Sequence, residues 1–206
     1  MKVAVLGGTG EMGRALAKRL AERNKVRIGS RNTEKARSAA EAIPGAEGAS
    51  NFQAALWCDI AIVTIPYAAI GTLSDYAEPL AGKTVVSVLN PLRRSGGLLE
   101  YSAGDKSAAE LVASLLPESF VATAFNNLPV AYLKKVSPPE TDVLIAAEDL
   151  EVYKKVARLV SGIPKLRPLY VGPLSQSSSI ERLTVMLLNA AALKGGSSSF
   201  SIRFVS

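Results

Sequence analysis

Strand-length apolar runs alternate along this chain with segments of helical period. Lys2 to Gly7 has the character of a buried strand, and Glu11 to Arg23 follows with Met12, Leu16 and Leu20 on one helical face. Lys25 to Gly29 is a second short strand, which predicts a βαβ opening. Thr33 to Ile43 reads as a helix begun by Asn32 or Thr33 and ended before Pro44-Gly45. Asp59 to Ile65 is the strongest buried-strand pattern in the chain, and Pro66 ends it. Lys83 to Val88 is another β-branched run. A loop is expected from Asn90 to Asp105, then a helix over Ser107 to Leu116 and a strand over Phe120 to Ala124. This alternation predicts an α/β fold built on a doubly wound parallel sheet with helices on both faces.

Beyond Pro129 the alternation continues, with strands over Asp142 to Ala147 and Arg167 to Val171 and helices over Leu150 to Val160 and Pro173 to Leu193. Gly195-Gly196-Ser197-Ser198-Ser199 reads as a flexible break. After it Phe200, Ile202 and Phe204 alternate with Ser201, Arg203 and Val205, which predicts a last half-buried strand. A boundary near 125 to 140 divides the chain into residues 1–130 and a small C-terminal α/β domain, 131–206, packed on the first.

Composition narrows the chemistry. The 206 residues are 48% apolar and 20% charged, enough to bury a sizeable core and unlike a disordered or disulfide-rich chain. There is no His, which excludes imidazole acid/base catalysis, imidazole metal sites and His-activated nucleophiles. No cluster of metal ligands is evident, and the lone Cys58 cannot form an internal disulfide. The N-terminal apolar run is too brief for a signal segment, and no window approaches a membrane span. A cytoplasmic, reducing setting is therefore expected. Net charge is 24 − 18 = +6, spread along the chain, which fits a basic site for a phosphorylated small molecule better than a nucleic-acid surface.

Directly after the first predicted strand, Gly8, Gly10 and Gly13 form G-x-G-x-x-G and open a helix. The first glycine permits the tight turn, the second lets a pyrophosphate approach the backbone, and the third lets helix and strand pack. At the tip of the second strand, roughly 20 residues on, an NAD site would carry an acid. Ser30 and Arg31 stand there instead, with Lys35 one turn into the next helix, a set suited to a 2′-phosphate. NADP(H) is the expected cofactor. Thr64, Ile65, Pro66 and Leu89 end the next two strands on the ligand side of the sheet and would flank the nicotinamide, with Tyr67 as either a ligand contact or a packing residue.

The absence of acid/base groups favours an acceptor that takes a hydride directly and needs mainly placement, such as a flavin-like coenzyme. The polar, Pro-bounded turn Asn126-Asn127-Leu128-Pro129 is the candidate pocket, with both asparagines able to bond a heterocycle's edge. Another NADPH acceptor (a flavin, a ferric chelate or a small imine) and a non-catalytic NADP-binding sensor are the alternatives.

The chain resembles the NADPH-dependent reductases of coenzyme F420, the F420:NADP oxidoreductases. The resemblance is carried by Val5 to Gly10 with Gly13, Gly29-Ser30-Arg31 with Glu34-Lys35-Ala36, Thr64-Ile65-Pro66 and Ser107 to Glu110. It continues through Gly172 to Ser175, Glu181, Leu183-Thr184 and Ile202-Arg203-Phe204. It implies a Rossmann-type domain, residues 1–130, with the small domain 131–206 completing a deazaflavin crevice in a homodimer. Hydride would pass between nicotinamide C4 and deazaflavin C5. Thr9, Glu11 and Met12 with the loop glycines would hold the pyrophosphate, and Asn126, Leu128 and Pro129 would position the acceptor. The family usually places His where this chain has Asn126.

Overall fold

The computed structural model describes residues 1–195 and 199–205; the expected glycine-serine break falls largely on 196–198, outside them. Ten strands form: β1 (Lys2–Leu6), β2 (Lys25–Ser30), β3 (Ala46–Ser50), β4 (Ile60–Val63), β5 (Thr84–Ser87), β6 (Leu92–Ser95), β7 (Leu98–Tyr101), β8 (Phe120–Thr123), β9 (Thr141–Ala147) and β10 (Leu166–Gly172). Eight α-helices accompany them: α1 (Glu11–Ala21), α2 (Thr33–Glu41), α3 (Asn51–Trp57), α4 (Ala77–Leu80), α5 (Ala108–Leu115), α6 (Val130–Lys134), α7 (Leu150–Ser161) and α8 (Ser177–Leu193).

Eight strands make one sheet in the order β10-β9-β8-β5-β4-β1-β2-β3. All its pairings are parallel except β8 with β9, so the α/β, doubly wound expectation holds with one reversal. The central strands are apolar on both faces because helices cover both. Val3, Val5, Ile60 and Ile62 pack with Leu16, Leu20 and Val156 on one side, while Ala4, Leu6, Ala61 and Val63 pack with Leu73, Val112 and Leu116 on the other. Residues beyond 130 add β9 and β10 to the same sheet. No described helix is long and apolar enough to cross a membrane.

Four features depart from the sequence-based expectation. The predicted loop from Asn90 to Asp105 contains the antiparallel hairpin β6–β7, turned by Gly96 at φ 54° and Gly97 at φ 87°. A two-residue turn with both φ positive matches the strand twist, and Gly-Gly supplies it without strain. The pair β3–α3 does not show in the pattern, because β3 has only Ala46 and Ala49 as apolar residues and α3 is short. Gly48 is required there, because a Cβ would lie 2.3 Å from the Arg37 nitrogen of α2. The long helix expected from Pro173 starts only at Ser177, after a 3-10 turn over Leu174–Gln176.

The predicted last strand is not one. Residues 199–205 run beside the start of β9, where the Asp142 N–H donates to the Ile202 carbonyl at 2.8 Å. The other anchors are side-chain ones: the Asp142 carboxylate accepts from the Phe204 N–H at 2.6 Å and is held by the Arg167 fork at 2.6 and 2.9 Å. One backbone bond does not make a ladder, and Phe204 remains 54% exposed.

Candidate functional site

Strand order reverses at β1, since β2 lies on one side of it and β4 on the other, which opens a crevice beyond their carboxyl ends. The glycine loop occupies that crevice. Gly8 donates its N–H to Val5 O at 3.1 Å and Gly29 O at 2.9 Å, and a Cβ on it would stand 2.7 Å from Val5 O. Gly13 lies against Gly8 so closely that its Cβ would be 2.6 Å from the Gly8 Cα and 2.9 Å from Thr64 Oγ1. Gly10 is different: a Cβ there would meet only Gly7 O, at 3.7 Å. No described neighbour requires glycine at this exposed position, and its small size leaves room for a ligand to approach the backbone. No side chain caps α1, which leaves its first N–H groups and the positive end of its dipole turned to the same space. This cradle fits a pyrophosphate.

Of the residues expected at the pyrophosphate, Thr9 is half-buried in the turn, and Glu11 is exposed with its carboxylate 2.5 Å from Lys134 Nζ of α6. That cation holds the Glu11 carboxyl below its ordinary range. Met12 packs its side chain on the core and offers a ligand only its backbone. Asn51, at the start of α3, shapes the glycine loop and is not flagged by the sequence pattern. Its Oδ1 accepts the Gly7 N–H at 3.1 Å, and it also occupies the space that keeps Gly29 a glycine, 2.7 Å from where a Cβ would be.

At the tip of β2, Ser30 is buried and its Oγ accepts the Asn32 N–H at 3.2 Å, while Asn32 Oδ1 caps α2 by accepting from Lys35 N at 3.0 Å. These two bonds fix the turn that brings Ser30, Arg31 and Lys35 together. Arg31 and Lys35 are exposed, and neither forms an ion pair among the described residues, whereas nearby Glu34 is drawn to Arg37 at 2.8 Å. Two free cations at the strand tip fit a 2′-phosphate.

On the other flank, Thr64 gives both its N–H and its hydroxyl to Leu6 O, each at 2.9 Å, so its side chain ties β4 to β1. Ile65 lies against Gly7, Pro66 is exposed, and Leu89 is buried with its carbonyl accepting from Asn126 Nδ2 at 2.8 Å. Asn126 follows Phe125, a buried residue held at φ 65°. Its backbone carbonyl accepts from Thr184 Oγ1 at 3.2 Å and from Asn90 Nδ2 at 3.3 Å. Asn126, Leu128 and Pro129 line a cavity of about 90 Å³ with Leu187, Leu188 and Ala191 of α8 and Phe200. Asn127 borders that cavity but spends its amide on β9, donating to Asp142 O at 2.7 Å and accepting from Leu144 N at 3.3 Å. The sequence expectation that both asparagines serve a heterocycle is therefore corrected. Asn127 replaces the strand neighbour that β9 loses where β8 turns away.

The wall of this pocket is held by a buried carboxylate. Glu181 of α8 is fully buried and accepts from the Tyr101 hydroxyl at 2.9 Å and from the Ala108 and Ala109 N–H groups at 3.1 and 3.3 Å. Burial pushes its carboxyl up to about 7, and burial beside Glu181 raises the Tyr101 phenol as well. Two turns along α8, Asn189 accepts from Leu99 N and donates to Leu99 O, each at 2.8 Å. Together they staple the β6–β7 hairpin to α8. Glu181 is the one acid in α8, and that is its signal in the sequence.

Comparison with known proteins gives the family. Residues 2–91 match the family described as NADP oxidoreductase coenzyme F420-dependent. The F420-dependent NADP reductase of Methanocaldococcus jannaschii is 38% identical over 203 residues, covering 91% of each chain. That of Methanothermobacter marburgensis is 36% identical over 92% of each. In fold, an Arthrobacter sp. FB24 crystal structure assigned to the same reductase class superposes with a TM-score of 0.87 at 23% identity over 100% of both chains. An imine reductase of Streptomyces aurantiacus reaches 0.67 at 21% identity, over 94% of this chain and 64% of that one. From its identity to the methanogen enzymes over nine-tenths of its length, the chain belongs to the F420-dependent NADP reductase family.

Proposed function

We propose that the protein passes a hydride between NADP(H) and the deazaflavin coenzyme F420. The observation that carries this is the hydrogen bond from Asn126 to the Leu89 carbonyl, which makes the nicotinamide border and the acceptor pocket adjoin. The nicotinamide supplies or receives the hydride at C4 and the deazaflavin at C5, so the protein's task is placement. Gly8, Gly10 and Gly13 with the backbone of Thr9, Glu11 and Met12 hold the pyrophosphate, and Ser30, Arg31 and Lys35 hold the 2′-phosphate. Thr64, Ile65, Pro66 and Leu89 border the nicotinamide, while Asn126, Leu128 and Pro129 position the acceptor. Residues 131–206 act as the second unit that closes the crevice on the 1–130 nucleotide-binding unit. The protein works in the cytoplasm as a homodimer, with small coenzymes and not nucleic acid as partners.

The test mixes protein, NADPH and oxidised F420 and follows the visible absorbance of the deazaflavin, with NADH as alternative donor and FMN as alternative acceptor. Bleaching of F420 with NADPH and not with NADH supports the assignment. Faster turnover of FMN or a cyclic imine than of F420 overturns it.

A further inference from the structure

We infer that Asn126 determines specificity at the pocket it lines by presenting a fixed hydrogen-bond acceptor, so that the bound ring system must offer an amide- or imide-type N–H at that point. The chemistry follows from Asn126 itself; the names of the rings rest on the function proposed above.

Asn126 is 2% exposed, and its Oδ1 is the buried side-chain polar atom that lacks a hydrogen-bond partner among the described residues. Buried acceptors are nearly always paired, and a lone one marks a place where something other than the fold completes the bond. The amide cannot turn over to relieve it. Nδ2 points at Leu89 O, 2.8 Å away, with Asn90 Oδ1 at 3.5 Å, so a flip would press Oδ1 against two oxygens. Asn90 cannot flip in compensation, because its own Nδ2 donates to the Asn126 backbone carbonyl. Nor can the backbone swing: that carbonyl is also held by Thr184, and Phe125 is locked in its left-handed conformation by complete burial.

Among the described residues the surroundings offer no uncommitted buried donor. Leu128, Pro129, Leu187 and Leu188 are apolar, and the polar groups of Asn127 and Thr184 are committed to β9 and to carbonyl oxygens. Ser199, at the rim, is exposed. A water bound here would have Oδ1 as its main protein partner, fewer than an ordered buried water ordinarily makes, and a ligand N–H would displace it readily. A ligand presenting a carbonyl would set two acceptors face to face and be rejected. Two groups in the proposed reaction carry the required N–H: the imide of the deazaflavin pyrimidine ring and the carboxamide of the nicotinamide.

Fluorescence titration separates them. Dissociation constants are measured for F420 against an analogue methylated at the imide nitrogen, and for NADPH against an analogue whose carboxamide is an acetyl group, in the wild type and in Asn126→Ala. We expect the wild type to bind one of the two N–H-lacking analogues about tenfold or more weakly than its parent, as for loss of a hydrogen bond to a buried acceptor, and the variant to reduce that ratio to about two or less. The pair that responds names the ring. Equal binding of both analogues and their parents by the wild type overturns the inference, and this arm decides even where the variant fails to fold. So does a variant that keeps the full discrimination. Normal F420 turnover without discrimination removes the inference and leaves the function standing; discrimination in the NADPH pair without F420 turnover does the reverse.

Discussion

Gly10 and Gly13 answer the same substitution differently. Alanine at Gly13 would place a Cβ 2.6 Å from the Gly8 Cα, so it should destabilise the fold and weaken NADPH together. Alanine at Gly10, where φ is −71° and the nearest protein atom is 3.7 Å away, should leave thermal unfolding unchanged or slightly raised while NADPH affinity falls about tenfold or more. Parallel thermal melts and NADPH titrations separate the two. Arg31→Ala should weaken NADPH by about 1.5 to 3 kcal/mol and leave NADH nearly unaffected, the signature of a lost charged hydrogen bond; equal losses would remove the 2′-phosphate assignment. The glycines and the basic strand tip are legible in the sequence because each role is local, fixed by spacing along a few residues. Asn51 and Asn127 are not, since each bonds backbone from strands distant in sequence. Asn127→Ala leaves the Asp142 carbonyl and the Leu144 N–H unpaired and should cost about 2 to 4 kcal/mol in urea unfolding.

Among the elements, α8 carries the most information about the site. Its Glu181 and Asn189 face the β6–β7 hairpin, while Thr184, Leu187 and Leu188 face the pocket lined by Asn126, so one helix joins the hairpin to the pocket. Glu181 makes this arrangement sensitive to pH. An unfolded carboxyl titrates near 4.5 and the buried one at about 7, so the folded state keeps its proton to higher pH and this group's contribution to stability declines as pH rises between those values. Stability of the wild type relative to Glu181→Gln should therefore fall by about 2 to 3 kcal/mol between pH 4.5 and 8, with no further change above. Urea unfolding at those pH values checks it; a difference independent of pH would show that Glu181 titrates normally. The apolar strands and amphipathic helices of the large sheet are legible because burial imposes their periods. The hairpin and β3 are not: all three strands are short, the hairpin is largely exposed and β3 mostly half-buried, with registers set by glycines and partners rather than by an apolar face.

For the whole molecule, the sheet order by itself does not choose an acceptor, since an imine reductase shares the fold at a TM-score of 0.67. What distinguishes this chain is the sequence identity to the methanogen reductases, and the proposed ring sites would meet where Asn126 bonds the Leu89 carbonyl. Among the described residues no titratable side chain lines that pocket, in keeping with the proposed direct hydride transfer between placed rings. The most direct test supplies NADPH carrying deuterium at nicotinamide C4, in each of its two stereoisomers, and measures the label in reduced F420 by mass spectrometry. One stereoisomer is expected to deliver its deuterium to C5 of the deazaflavin without exchange. Label lost to water, delivered equally from both faces, or absent because F420 is not reduced would contradict it.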